Sequence, residues 1–461
     1  MPENRSVRRG LASFSPAVIA VFFIILIFSI LRIKFYGNPS LSIAGNDTIT
    51  YVEASRAPFF SAEILTGRRL LTTNLFYKIF EPQTGYEIAV NGSIDTTSRA
   101  YQPGFDKIVI VQLILSLLGW GLLAWFIAET IHNSWLKVLS TILILTFAYT
   151  PQMADWDSIL MSESLTFSLF ALQLAFMIKI GTMLQKNENA KISKWALAWS
   201  ITFFFWAFLK DTNLFTALTT AGMIVILFRS PAYRKNKQLL TILVFLAIIF
   251  VLGFYTASQS SRSLAQLKNL YRDDLLVSQY RIDILQEMGM PAVTSRDDVN
   301  NPDFEAWIID KGSSTLARFM IAHPGYPIIK LLTDFSPAFT EIGQTYFYAK
   351  ELNPARQILF EIGNALHPEN TTPFLANLIL LMGLILVSRK GIANSSFWAW
   401  IGLWLFLSAS FTFIPTILGD TWALNRHALY STMVFRFSMW ILPVILTDLA
   451  LHSVNPNSSD T

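Results

Sequence analysis

Apolar stretches that approach the roughly 20 residues needed to cross a bilayer recur along the chain. They occupy 15–33, 108–131, 136–150, 160–180, 195–209, 214–228, 239–255, 373–387, 397–417 and 428–450. The pattern predicts an all-α polytopic membrane protein with about ten transmembrane helices. Several stretches are short, so neighbouring helices must shield their ends or the bilayer must thin locally. Two long polar intervals, 37–106 and 257–372, break the series. They divide the chain into an N-terminal transmembrane catalytic module (1–256, with the first outer loop at 37–106), an outer loop domain (257–372) and C-terminal transmembrane helices (373–461). In the first loop, amphipathic runs at 51–60 and 61–80, the second with Arg68 and Arg69 on a polar stripe, fit interfacial helices with their apolar faces in lipid. The second loop reads as mostly helical: Leu264 to Glu287, closed by Gly289-Met290-Pro291, then Phe304–Ile309 after a polar turn, then Ser313 to Ala322, closed by His323-Pro324-Gly325.

Loop charges orient this scheme. Lys137, Lys179, Lys186, Lys191, Lys194, Arg229, Arg234, Lys235, Lys237, Arg389 and Lys390 join Arg5, Arg8 and Arg9 on one side. The short loops of the other side carry Lys210 and Arg426. Positive charge marks the cytoplasmic side, so both termini are expected in the cytoplasm and both long loops outside. Arg32 and Lys34, at the outer end of the first run, go against the trend. That run reads as an uncleaved anchor, since its apolar core is long and no small-x-small cleavage site follows. Composition agrees with a membrane class: 53% of residues are apolar and 14% charged. The absence of cysteine excludes disulfides, thiolate chemistry and cysteine zinc sites. No HExxH, GxGxxG or GxxxxGK pattern occurs, which argues against a soluble-type nucleotide cradle. Nothing points to nucleic acid. Asn46 and Asn91 open N-x-Ser/Thr triplets, which also arise by chance.

The candidate chemistry gathers at the outer level. Asp47 and Glu53 come from the first loop, Asp155, Asp157 and Glu163 from the second, Lys210 and Asp211 from the third, and Asp420, Arg426 and His427 from the last. Ionisable groups beside hydrocarbon are costly, so their concentration at one membrane level suggests a functional site, although single loop-tip charges are commonly just solvated. Asp155 and Asp157, two residues apart, cannot share one helical face. Glu163 at a helix start would also favour the positive end of the dipole. Gln112, Gln173 and Asn377 are the mid-span polar residues, and packing accounts for them.

Three segments resemble the GT-C superfamily of polytopic glycosyltransferases. Gly45-Asn46-Asp47-Thr48-Ile49-Thr50-Tyr51-Val52-Glu53-Ala54 is similar to its acidic first-loop motif. Ile64 to Phe80 looks like a degenerate Gly-x-Arg-Thr-Pro stretch in which Arg69 survives and the prolines are lost. Tyr149 to Phe170 is similar to the second-loop acid followed by Ser-Glu-Ser-Leu. The segment Gly419 to Leu429 also resembles the Arg-His stretch before the last spans. The resemblance covers roughly 40–230 well and the rest loosely. It implies a bacterial-type integral membrane glycosyltransferase, in a plasma (inner) membrane, moving a sugar from a polyprenyl-phosphate carrier to a hydroxyl of a glycan, lipid or protein. Asp47 would be the general base that takes the acceptor proton, and Asp155 a second catalytic-site carboxylate, holding acceptor or a metal, with Asp157 as its rival. Arg69, Lys210 and Arg426, with His427 as a donor, would bind substrate and steady the leaving phosphate; Arg262, Arg272 and Arg281 are weaker choices. Glu53 would orient a helix or bind acceptor, and Glu163 would contact substrate. A divalent cation is possible in some relatives; no cofactor is certain. Rival classes are an O-antigen polymerase or ligase, a lipid-linked glycan transporter or flippase, whose sites lie near the bilayer midplane, and a non-catalytic assembly protein.

Overall fold

The structure is a computed structural model and describes residues 15–40, 42–45, 47–86, 104–186, 188–260, 262–340 and 354–454. Asn46, Asn91 and the arginines at 5, 8 and 9 lie outside the described residues. α1 (Pro16–Tyr36) opens with proline in its first turn, where the missing N–H is not needed. The first loop folds into α2 (Thr48–Ser55), α3 (Glu63–Thr66) and α4 (Leu71–Ile79). α5 (Asp106–Thr130) and α6 (Ser134–Tyr149) follow, and the chain then bends by 58° into α7 (Pro151–Ala154) and a 3₁₀ turn, Asp155–Ser158. The bend is where Pro151 enters, since proline cannot continue a helix. α8 (Glu163–Gln185), α9 (Asn189–Ala207), α10 (Leu214–Leu227) and α11 (Lys237–Ser258) complete the first bundle. α12 (Leu264–Asp273), α13 (Gln279–Glu287), α14 (Pro302–Trp307), α15 (Ser313–Ala322), α16 (Gly325–Phe335) and α17 (Pro354–Leu366) form the long loop. α18 (Thr372–Arg389), α19 (Ser395–Gly419), α20 (Leu424–His427) and α21 (Leu429–Val454) end the fold.

The protein is an all-α polytopic membrane protein. Each of the ten apolar stretches holds a helix, but among the described residues seven helices are long and apolar enough to cross on their own, and the bent α6–α7 pair brings the number to eight. α9 and α10, where the sequence predicts two further spans, fall short of that test. α10 is too short, whereas α9, at 19 residues, is long enough but less apolar; both pack against neighbours, α9 on α8 and α11 and α10 on α11 and α19.

α5 and α8 form the central pair, flanked by α6, α9 and α21. Their approach depends on Gly119 of α5, because a Cβ there would stand 2.6 Å from the carbonyl oxygen of Ser168 on α8. Backbone cannot yield as a side chain does. Gly119→Ala is expected to destabilise the protein by about 1–3 kcal/mol, measurable as a lowered unfolding midpoint in detergent.

The runs 51–60 and 61–80, expected to lie flat in the interface, are shorter and more inward than predicted. α2 packs on α4, and Tyr51, Val52, Ile64, Leu71 and Tyr77 are buried, while Phe59, Phe60 and Ile79 stay exposed. The predicted helix over 264–287 is interrupted at 274–278, dividing α12 from α13. α12 to α15 enclose a separate small core around Leu270, Tyr271, Leu285, Phe304, Ile308 and Phe319. α16 returns to the bundle: Phe335 packs on Phe374 and Phe413, leaving Ile328, Ile329 and Leu332 exposed.

Candidate active site

The site is built on a short extended segment. Ile43 pairs with Ile159 in an isolated parallel bridge, and the Thr48 hydroxyl donates to the Leu160 carbonyl while accepting from the Gly45 N–H. These bonds pin the start of α2 beside the start of α8. Asp47 occupies the position before α2, where a carboxylate ordinarily accepts helix N–H groups, yet its side chain makes no such bond. Instead Oδ1 lies 2.7 Å from Arg69 Nη2 and Oδ2 3.0 Å from Arg426 Nη2. Arg69 is held in turn by the Thr50 hydroxyl at 2.7 Å and by the face of the Tyr51 ring. Burial alone would raise the Asp47 pKa, but the two guanidinium groups outweigh it and hold it below its ordinary value.

Around this triad opens a cavity of about 270 Å³ at the end of the bundle that carries the long loop. Its wall holds Arg68, Arg69, Lys210, Arg262 and Arg426 against Asp47, Glu163, Asp211 and Asp420, five cations to four carboxylates. Lys210 Nζ meets Glu163 Oε1 at 3.1 Å. Arg262 grips both oxygens of Asp211, at 2.8 and 2.6 Å. His427 Nδ1 lies 2.6 Å from Asp420 Oδ2, and its Nε2 is 3.1 Å from Arg426 Nη2. A guanidinium can only donate, so Nε2 accepts, and Nδ1–H donates to Asp420. The Asp420 Oδ1 also accepts the backbone N–H groups of Thr421 and Trp422, at 2.7 and 3.0 Å. The order Asp420–His427–Arg426–Asp47–Arg69 is thus one continuous polar chain along the wall.

Of the residues singled out by sequence, Asp47, Arg69, Glu163, Lys210, Arg426 and His427 line this cavity, with Arg262. Asp155, Asp157 and Glu53 do not. Asp155 is buried and paired with Arg356 of α17. Asp157 is buried and paired with Arg32 of α1 at 2.5 Å, with the Ser164 hydroxyl donating at 2.8 Å. Both carboxylates are reached because a 3₁₀ turn points successive side chains in different directions, so the choice between them expected from helical spacing does not arise. Glu53 is exposed, 3.9 Å from an equally exposed Arg68. Arg272 pairs with its neighbour Asp273, and Arg281 with Asp274, away from the cavity. The roles of Tyr51, Ser162, Gln266 and Thr416 as wall residues carried no sequence signal, since each looks like ordinary helix or loop content. Asp420 was visible as part of an acidic group, and its hold on His427 is set by the turn between them.

A divalent cation would need several oxygen ligands converging on one point. Among the described residues no group of three metal-ligating side chains exists, and each cavity carboxylate already faces a cation or imidazole. The described residues of the cavity do not fit a metal centre.

No protein-family model matches the chain, and no curated protein does. Among solved structures it is similar to the archaeal oligosaccharyltransferase AglB from Archaeoglobus fulgidus, in complex with an inhibitory peptide and a dolichol-phosphate. The identity is 12%, the TM-score 0.45, and the match covers 96% of this chain and 52% of that one. This chain spans about half the length of that relative. A likeness so distant passes on no activity, and the functional reading rests on the cavity.

Proposed function

We propose that the protein is an integral membrane glycosyltransferase that moves a sugar from a polyprenyl-phosphate carrier to an acceptor hydroxyl, at the outer face of the membrane. The observation that carries this is the Arg69–Asp47–Arg426 bridge in a cation-rich cavity beside membrane-crossing helices. Arginine pairs bind phosphate through forked hydrogen bonds. The cavity has one more Arg or Lys than Asp and Glu, an excess that the single charge of a phosphodiester would neutralise.

In the resting protein Asp47 is a weak base because its arginines hold it ionised. A phosphate group competes for the same guanidinium groups. As it draws them away, Asp47 loses two neighbouring positive charges and gains a negative one, and both changes raise its proton affinity. The substrate thereby prepares the base. The acceptor oxygen forms a bond to the anomeric carbon as the bond from that carbon to the phosphate oxygen breaks. The acceptor proton passes to Asp47, and the electron pair leaves with the phosphate, where Arg69, Arg426 and Lys210 stabilise the charge.

Binding of a polyprenyl monophosphate to the full-length protein in lipid nanodiscs, followed by native mass spectrometry, tests this directly. Arg69→Ala is expected to weaken binding about 10- to 100-fold, as loss of a charged hydrogen-bonding partner predicts. Unchanged binding in that variant would remove the phosphate from this cavity.

A further inference from the structure

A second cleft, of about 490 Å³, opens on the far side of the turn that carries Asp420. Trp422, Asp274, Arg281, Tyr326, Lys330 and Thr421 form its main walls. α12 borders both spaces: Gln266 lines the cavity and Asp273 the cleft, about 10 Å apart along the helix axis. The floor is a closed polar network. Asp274 accepts from Arg281 at 2.5 Å, from the Tyr326 hydroxyl at 2.8 Å, and faces Lys330 at 3.4 Å, while Lys330 reaches Asp334 at 2.7 Å. Trp422, 63% exposed, lines the same cleft. Its backbone N–H is tied to Asp420, and the next residue, Ala423, holds a left-handed φ of 48°, uncommon for a residue with a Cβ.

An exposed aromatic residue in one cleft with a rigid hydrogen-bonding floor suits a ligand with one apolar face and a rim of hydroxyls. Three aspartates against Arg281 and Lys330 in the lining disfavour an anion. The size lies within the roughly 300–1,000 Å³ of small-molecule sites. Building on the transferase reading above, we infer that this cleft is a carbohydrate subsite that holds a neutral sugar of the acceptor. One pyranose face stacks on Trp422, and the hydroxyl rim meets the partly exposed charged groups of the lining, Asp273, Asp334 and Arg281. Asp420 then has two roles: one oxygen fixes the Trp422 backbone, and the other fixes His427 in the cavity wall. A sugar seated on Trp422 rests on a backbone fixed by Asp420, the side chain that also fixes His427 in the wall of the reaction cavity.

The test is saturation-transfer NMR on the full-length protein in nanodiscs with methyl glycosides of neutral hexoses, N-acetylhexosamines and hexuronic acids. Transfer to a neutral hexoside or N-acetylhexosaminide is expected, weakened roughly tenfold by Trp422→Ala and recovered by Trp422→Phe, as for an aromatic stacking contact. Transfer that Trp422→Ala leaves unchanged, transfer confined to hexuronides, or no transfer at all would overturn the assignment. The readout needs no donor, so the outcomes separate. Glycoside binding that depends on Trp422 without polyprenyl-phosphate binding would keep the subsite and remove the transferase reading. The opposite pattern would remove the subsite alone.

Discussion

Asp47→Asn is expected to reduce turnover by about 10²–10⁴-fold, the range that a positioned proton acceptor contributes, while binding of a polyprenyl monophosphate is retained or tightened. The two halves of this result come from one contact. Asparagine keeps the shape of the side chain but carries no charge, so it cannot take the acceptor proton. It also stops competing for Arg69 and Arg426, which lie 2.7 and 3.0 Å from the two Asp47 oxygens. A purely structural carboxylate would give the reverse: loss of its charge would loosen both arginines and weaken phosphate binding with turnover. Measuring binding and turnover on the same preparation separates these cases. The sign of the pH effect follows too. The Asp47 pKa is lower in the folded protein than its ordinary value, so its contribution to stability is present above that ordinary value and fades as pH falls through the folded value. Asp47→Asn is therefore expected to flatten the acid limb of an unfolding-midpoint profile.

Arg32→Met is expected to destabilise the protein by about 3–5 kcal/mol, because it strands Asp157 in a buried setting without its partner. Arg32 and Asp157 side chains are 1% and 3% exposed. Arg32 also donates to the Ala148 carbonyl and the Ser116 hydroxyl and lies over the Tyr149 ring. The double variant Arg32→Met, Asp157→Leu is expected to recover most of the loss, since two apolar side chains in place of a buried ion pair are often neutral or stabilising. Unfolding midpoints of the two single variants and the double variant in one detergent give the coupling. Equal losses in the double and the sum of the singles would show that the pair carries no mutual energy.

Much of this architecture is legible in the chain because hydrophobic length acts locally. Every apolar stretch holds a helix, and the ends of several place Asp47, Glu163, Lys210 and Arg426 at one level. The arginine and lysine residues that meet carboxylates in the cavity come from loops that share that level, which hydropathy alone anticipates. What sequence could not supply is pairing across distance. Asp157 meets Arg32 across 125 positions, and Asp155 meets Arg356 across 201. Arg32 looked like a misplaced charge at the end of a span; inside the fold it is an internal counter-ion, so the rule for loop charges does not apply to it. Asp155 and Asp157 looked like site acids because buried ion pairs and catalytic carboxylates use the same residues. The cleft lined by Trp422 was equally hidden, since its walls come from α12, α13, α16 and a turn before α20.

The position of Arg32 bears on how the protein is made. α1 sits at the edge of the bundle, with Phe22, Phe23, Ile27 and Ile30 facing outward, and its far end is clasped by Asp157 and by Arg356 lying over the Tyr36 ring. During synthesis α1 emerges well before either of those groups exists. Until α6 and the 151–158 bend arrive, a lone guanidinium at the end of α1 must stay near water. The buried pairing of Arg32 therefore forms only once the chain through the 151–158 bend is made, and α1 is clasped in its final place by a segment synthesised more than a hundred residues later.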